Sequence, residues 1–191
     1  MNSLWKRYGL FGLLALILVA FDQWTKALAF RMLRTEGPLV LIEGVFELHY
    51  SENRGAAFGI LQGKQWFFLL VAAAVVVIIL LFLSRLPWTR RLAPLFFCLV
   101  LLCSGAVGNV IDRLLRGFVV DFFYFRLIDF PIFNVADCYV VVSAILLILL
   151  TGFWYKDEEF SFLQEKGTAD AKQNRSGRPE KENGTHQDTG K

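Results

Sequence analysis

Residues 65–84 read QWFFLLVAAAVVVIILLFLS, a stretch without a single charged side chain. An α-helix of about 20 apolar residues matches a hydrocarbon core about 30 Å thick, so this stretch predicts a membrane-spanning helix. Two more stretches, 92–111 and 138–155, are equally free of charge and dense in Leu, Val, Ile, Ala and Phe. They predict two further spans.

Working outward, the segment before them is harder to read. The uncharged run 8–21 is short for a span and follows Lys6 and Arg7, and Ala27-Leu28-Ala29 resembles a signal-peptide cleavage site. Against that reading, Asp22 and Lys26 lie four residues apart, as one helical turn would place a buried pair. A first helix that continues uncleaved to about Phe30 is expected. The predicted spans are then about 8–30, 65–84, 92–112 and 137–155, within a membrane domain over 1–155.

The composition agrees: 55% of the 191 residues are hydrophobic and 19% are charged, against about a quarter in soluble domains. From residue 156 to 191 the chain turns polar, with acids and bases that nearly cancel, and it is expected to be a disordered tail. The net charge of +3 therefore gives no polybasic signal, and no nucleic-acid partner is expected. Cys98, Cys103 and Cys138 lie in apolar runs, odd in number and without metal-site spacing. With His49 and His186 as the only histidines, neither a metal site nor a Ser-His-Asp triad is expected, and hydrolysis would have to run on carboxylates. No cofactor is expected.

Two connecting segments differ from membrane filler. Residues 45–50 alternate apolar and polar side chains, predicting a half-buried strand and a small sheet outside the membrane. Residues 114–131 are rich in Phe and Tyr, suiting an amphipathic loop or helix in the interface. The fold class is an all-α membrane protein of four transmembrane helices with a small β-sheet and an interfacial segment. The basic residues are spread over both membrane faces, so the charge count alone gives only a weak orientation.

Ionisable groups in or beside a span are functional candidates by default. In the four-span layout Asp22, Asp112, Asp121 and Asp137 all fall at one membrane face. Gly105, Gly108, Asn109 and Asp112 share a helical face, where the glycines admit a close neighbour. The plainer alternative for Asp112 is an ion pair with Arg113. Asp121, flanked by Val120 and Phe122, sits where burial would raise its pKa, unless it is simply an exposed loop residue. Asn134 and Asp137 have the spacing of a helix capping box. The segment Asn53-Arg54-Gly55-Ala56-Ala57-Phe58 reads either as space for a close-approaching chain, with Asn53 holding its backbone, or as a plain turn. Two facing carboxylates sharing one proton could activate a water and stabilise an oxyanion, which is aspartic-protease chemistry.

Asp22-Gln23-Trp24-Thr25-Lys26, Asn53 through Phe58, Gly108 through Arg113, Val120-Asp121-Phe122 and Phe133 through Asp137 resemble, in order, the motifs of the lipoprotein signal peptidase (signal peptidase II) family. The resemblance implies a membrane aspartic endopeptidase that removes the signal peptide from diacylglyceryl-modified prolipoproteins, cutting on the N-terminal side of the lipidated cysteine. By motif position the catalytic pair would be Asp121 and Asp137. Asp22, Asn53, Asn109, Asp112, Arg113 and Asn134 would support the dyad or bind substrate. The implied setting is the bacterial inner membrane, with both termini and the 156–191 tail cytoplasmic and the sheet and site extracytoplasmic. Lipid-modified prolipoproteins and membrane lipid are the expected partners, and a monomer is the expected state. Two rival readings are a small proton-coupled transporter, which needs its acids at mid-membrane facing a pore, and a structural subunit whose acids only pair helices.

Overall fold

The computed structural model describes residues 2–55, 63–156 and 158–160, with side chains from Leu4 onward. The chain divides into a unit Met1–Tyr155 and a second unit Lys156–Lys191. Of the second, only 156 and 158–160 are described; there Glu159 accepts the Lys156 backbone N–H at 3.0 Å. The expectation of a disordered tail lies outside the described residues.

In the first unit, α1 (Asn2–Glu36) is followed by β1 (Leu39–Ile42) and β2 (Phe46–Asn53), then α2 (Gln65–Arg85), α3 (Ala93–Arg116), β3 (Val119–Tyr124) and α4 (Val135–Leu149). α4 runs on through a π-helical turn to Trp154. Among the described residues, four helices are long and apolar enough to cross a membrane. They leave large side chains such as Leu16, Leu70, Ile78 and Ile148 more than 60% exposed, as lipid-facing surfaces do.

The first helix outruns its expected bounds at both ends. A continuous 35-residue helix measures about 50 Å, longer than the hydrocarbon core. Nothing obliges a helix to stop at the membrane surface. What stops this one is Gly37 at φ +87°, whose N–H closes on Leu33 O at 3.2 Å before Pro38. Near its start, buried Arg7 donates to Leu83 O at 2.8 Å and to Leu86 O, tying α1 to the end of α2.

α3 is the central helix, packing on α1, α2 and α4. Its glycines are contact points. A Cβ on Gly105 would lie 2.5 Å from Ala136 O, and one on Gly108 would lie 2.6 Å from Asp22 Oδ2, so only hydrogen fits at either place.

The sheet is antiparallel in the order β1-β2-β3, with an irregularity between Leu48 and Ser51 where β2 faces β3. β2 covers the strand expected at 45–50 except Val45, which lies in the preceding turn, and continues to Asn53. The segment 114–131 is not one interfacial piece: its middle is strand β3, and the turn Arg126–Ile128 with exposed Leu127, Ile128 and Phe130 keeps the interfacial character. β3 reads Val-Val-Asp-Phe-Phe-Tyr without alternation because both its faces are covered. Val120 and Phe122 pack on Ala29 and Leu33 of α1 and on Val135, while Asp121 turns to the other face.

Candidate active site

Three elements meet at one end of the bundle: the middle of β3, the start of α4 and the C-terminal third of α3. β3 and the approach to α4 are joined by backbone. The N–H groups of Phe122 and Phe123 donate to Phe133 O at 2.9 and 2.8 Å, and Phe133 N–H donates back to Phe123 O at 3.1 Å. Asp121 and Asn134 are thereby held near each other. At the head of α4, the Asn134 side chain accepts the Asp137 N–H at 3.0 Å while Asp137 Oδ2 accepts the Asn134 N–H at 3.1 Å. This is the capping box read from the spacing.

The cap does more than end a helix. Asn134 Nδ2 donates to Asp121 Oδ1 at 2.6 Å, so one asparagine bridges the two carboxylates. Asn53 Nδ2 donates to Asp121 Oδ2 at 2.9 Å. Its placement follows from the register: Ser51 pairs with Asp121, and Asn53, two residues on, lies on the same face of the sheet. Asn109 Nδ2 donates to Asp137 Oδ1 at 2.8 Å. Each oxygen of both aspartates therefore has a donor.

Asp121 is 1% exposed. Burial pushes its carboxyl up from an ordinary 3.8 to about 7, the charge of Asp137 pushes the same way, and the amide donors of Asn53 and Asn134 oppose both. Asp137 is half-buried, and its open side lies on a groove of about 470 Å³ shared with Asn53, Phe130 through Phe133, Cys138, Val141 and Val142. Apart from Asn53 and Asp137 the groove is lined largely by apolar side chains.

Beneath these two aspartates sits a charged cluster. Lys26 of α1, fully buried, donates to Asn109 Oδ1 at 2.8 Å and pairs with Asp22 at 3.0 Å and Asp112 at 3.2 Å, three partners for three ammonium protons. Asp22 Oδ1 accepts the Ala136 N–H at 2.9 Å, anchoring the head of α4 to α1. Asp112 accepts Val120 N–H at 3.2 Å, anchoring β3 to α3. The pairing of Asp112 with Arg113 is corrected: its arginine partner is Arg116, one helical turn on, because adjacent residues on a helix point apart. Arg113 instead donates to Asn109 O and Gly55 O, each at 3.3 Å, and stacks 4.7 Å from the Phe68 ring. It steadies the turn after Asn53, where Gly55 N–H also bonds to Asn53 Oδ1 at 3.0 Å.

All eight candidate residues thus fall in one neighbourhood: Asp22, Asn53, Asn109, Asp112, Arg113, Asp121, Asn134 and Asp137. Ala56, Ala57 and Phe58 lie outside the described residues. Sequence reasoning missed Lys26 as the hub, although its spacing of four from Asp22 carried the signal. Among the described residues, no three His, Cys, Asp or Glu side chains are grouped to hold a metal ion.

Comparison with known proteins gives a consistent picture. Residues 14–153 match the family described as signal peptidase (SPase) II. The chain is 39% identical over 169 residues to the lipoprotein signal peptidase of Anoxybacillus flavithermus, covering 87% of this chain and 95% of that one. It is 45% identical to that of Brevibacillus brevis, covering 72% and 91%. Two solved structures of a bacterial membrane enzyme, at 2.3 and 1.9 Å resolution, align with TM-scores of 0.63 and 0.64 at 32% identity. Each covers 75% of this chain and 87% or 92% of its own.

Proposed function

The chain belongs to the signal peptidase (SPase) II family, and on that premise we propose that Asp121 and Asp137 are the aspartates with which it cuts prolipoproteins. It is an aspartic protease of the bacterial membrane, with several spans, that removes signal peptides from prolipoproteins. The cut falls on the N-terminal side of a diacylglyceryl-modified cysteine. The observation that carries the dyad is the bridge by Asn134, which binds one carboxylate by its side chain and the other by its backbone at the edge of an apolar groove.

The roles follow from the surroundings. Asp121, buried and raised to about 7, holds the proton. Asp137 lies in the first turn of α4, accepts the Asn134 N–H and opens onto the groove. Its carboxylate takes a proton from water, whose oxygen attacks the scissile carbonyl carbon, while Asp121 gives its proton to the carbonyl oxygen. When the tetrahedral intermediate collapses, the C–N bond breaks, Asp137 passes its proton to the leaving nitrogen, and Asp121 recovers its own. Asn53, Asn109 and Asn134 keep the carboxyl groups aimed. Asp22, Asp112 and Arg113 hold the backbone segments that carry them.

The apolar groove suits a substrate that enters from the lipid with its acyl chains and apolar signal segment, its reacting bond at the interface. Both termini are assigned to the cytoplasm and the site to the outer face, with the enzyme acting as a monomer. The deciding experiment is a gel-shift cleavage assay in detergent with diacylglyceryl-modified and unmodified prolipoprotein. Wild type should cut only the modified substrate. Asp121→Asn and Asp137→Asn should each lose about 10²–10⁴-fold in rate while remaining folded. Normal cleavage by either variant would remove that residue from the dyad.

A further inference from the structure

The end of the bundle away from the aspartates carries a second concave site. α2 leaves the active-site end at Gln65, whose side chain bonds to Gly117 O, and α3 returns there at Arg116. The connection between them therefore lies at the far end, together with the start of α1. A groove of about 420 Å³ opens between that connection and α1. Its wall is mostly apolar, with Leu10, Phe96 and Phe97 on it, and its other contributors include exposed Arg90 and Trp88.

Two features mark this as more than a packing gap. The first is its construction: Arg7, 5% exposed, donates to Leu83 O and Leu86 O, fixing the wall to which Leu86 belongs. The second is charge. Among the described residues the Arg90 guanidinium has no hydrogen-bond or ion-pair partner. No Asp or Glu occurs in 1–21 or 65–111, whereas Lys6, Arg7, Arg85, Arg90 and Arg91 do, so these segments bring only positive charge to this end. Trp88, edge-on to Phe96 at 5.6 Å, is a side chain that favours the headgroup level. An apolar trough with an unpaired cation on its lining is complementary to an amphiphile with an anionic head, and basic pockets between spans bind such headgroups.

We propose that this groove binds one anionic phospholipid of the surrounding bilayer, an acyl chain lying against Phe96 and Phe97 and the phosphate paired with the Arg90 guanidinium. The inference rests on membrane insertion and on this groove, and it is independent of the assignment of the dyad. Arg90 is exposed, so changing it leaves the packed bundle intact.

The test is native mass spectrometry of the full-length protein released from detergent micelles. It is titrated with phosphatidylglycerol, with phosphatidylcholine of the same chains, or with glycerol phosphate as the headgroup alone. One phosphatidylglycerol should be retained in preference to phosphatidylcholine, and glycerol phosphate should not be retained. Arg90→Gln should weaken retention about fivefold, the effect of one basic side chain near a lipid headgroup. Lys6→Gln, the same charge change at the same end but outside the groove wall, should leave it nearly unchanged. Ala93→Phe, which fills the groove, should expel the lipid, with thermal unfolding reporting that the variant is folded; should it not fold, the Arg90 and Lys6 pair still decides. Equal retention of phosphatidylcholine, or equal losses in Arg90→Gln and Lys6→Gln, would reduce the effect to diffuse attraction and overturn the site. Tight binding of glycerol phosphate alone would overturn the role of the acyl chain.

Discussion

At the scale of single residues, the proposed chemistry turns on Asp121, whose carboxyl burial pushes up to about 7. A carboxyl raised in the fold above its ordinary value contributes stability that is present below about 4 and lost as pH rises through about 7. Its proposed use as an acid follows the same direction. We expect kcat/KM on lipidated substrate to fall as pH rises through about 7; a flat profile from 6 to 9 would take Asp121 out of the acid role. Asn53 donates to the ionised form and opposes the shift, so Asn53→Ala should move the falling limb to higher pH while lowering the rate. Lys26 poses a different problem. With Asp22 and Asp112 both at 0% exposure, Lys26→Met leaves two buried carboxylates without their shared cation, a loss of about 3–5 kcal/mol by the usual cost of breaking a buried pair. Thermal unfolding in detergent measures it, and adding Asp22→Asn should recover part of the loss. The Asp22–Lys26 pair of this cluster was legible beforehand from its spacing of four. Four carboxylates at one face could be read from span positions, but the partner of Asp112 could not, because Arg113 is adjacent in sequence and Arg116 is adjacent in space.

Elements set where those residues stand. The spans were readable because a long run without charge has one physical meaning in a chain this apolar. β3 was not, since the alternation that betrays a strand needs one wet face, and Val119 through Phe122 are buried throughout. The helix crossing of α3 on α4 lies between these cases: the small residues predicted a close approach, but only the structure shows how tight it is. A methyl on Gly105 would meet the Ala136 carbonyl, which is backbone and cannot swing aside, at 2.5 Å. Gly105→Ala should therefore cost about 1–3 kcal/mol, the usual effect of overpacking, and shift the head of α4 that carries Asn134 and Asp137. Gly12→Ala, at a helical glycine with nothing within 4 Å of the added carbon, is the matched control and should be neutral or slightly stabilising. If unfolding temperature and cleavage rate respond alike in the two variants, the α3–α4 contact does not position the dyad.

On the scale of the whole molecule, four antiparallel spans impose a division that no local feature states. The start of α1, the connection from α2 to α3 and the end of α4 share one membrane face, and the sheet, the capping box and both aspartates share the other. Counting basic residues does not choose between the two orientations, because Arg31, Arg34, Arg54, Lys64 and Arg126 flank the site end while Lys6, Arg7, Arg85, Arg90 and Arg91 flank the other. Part of the site-end charge serves the fold: Arg126 pairs with Glu47 at 2.7 Å and Arg116 with Asp112. The choice rests instead on the substrate, whose cleavage junction is proposed to lie at the outer face with its lipidated cysteine. That choice is open to direct test by cysteine labelling in intact cells. Leu127, 70% exposed in the turn after β3, and Arg85, exposed at the end of α2, are placed on opposite faces. In a background where Cys138 is serine, with Cys98 and Cys103 buried, Leu127→Cys should react with an impermeant maleimide, and Arg85→Cys should react only after permeabilisation. The reverse pattern would put the aspartates on the cytoplasmic face. It would leave the dyad chemistry intact but require prolipoproteins to be cut before their mature part crosses the membrane.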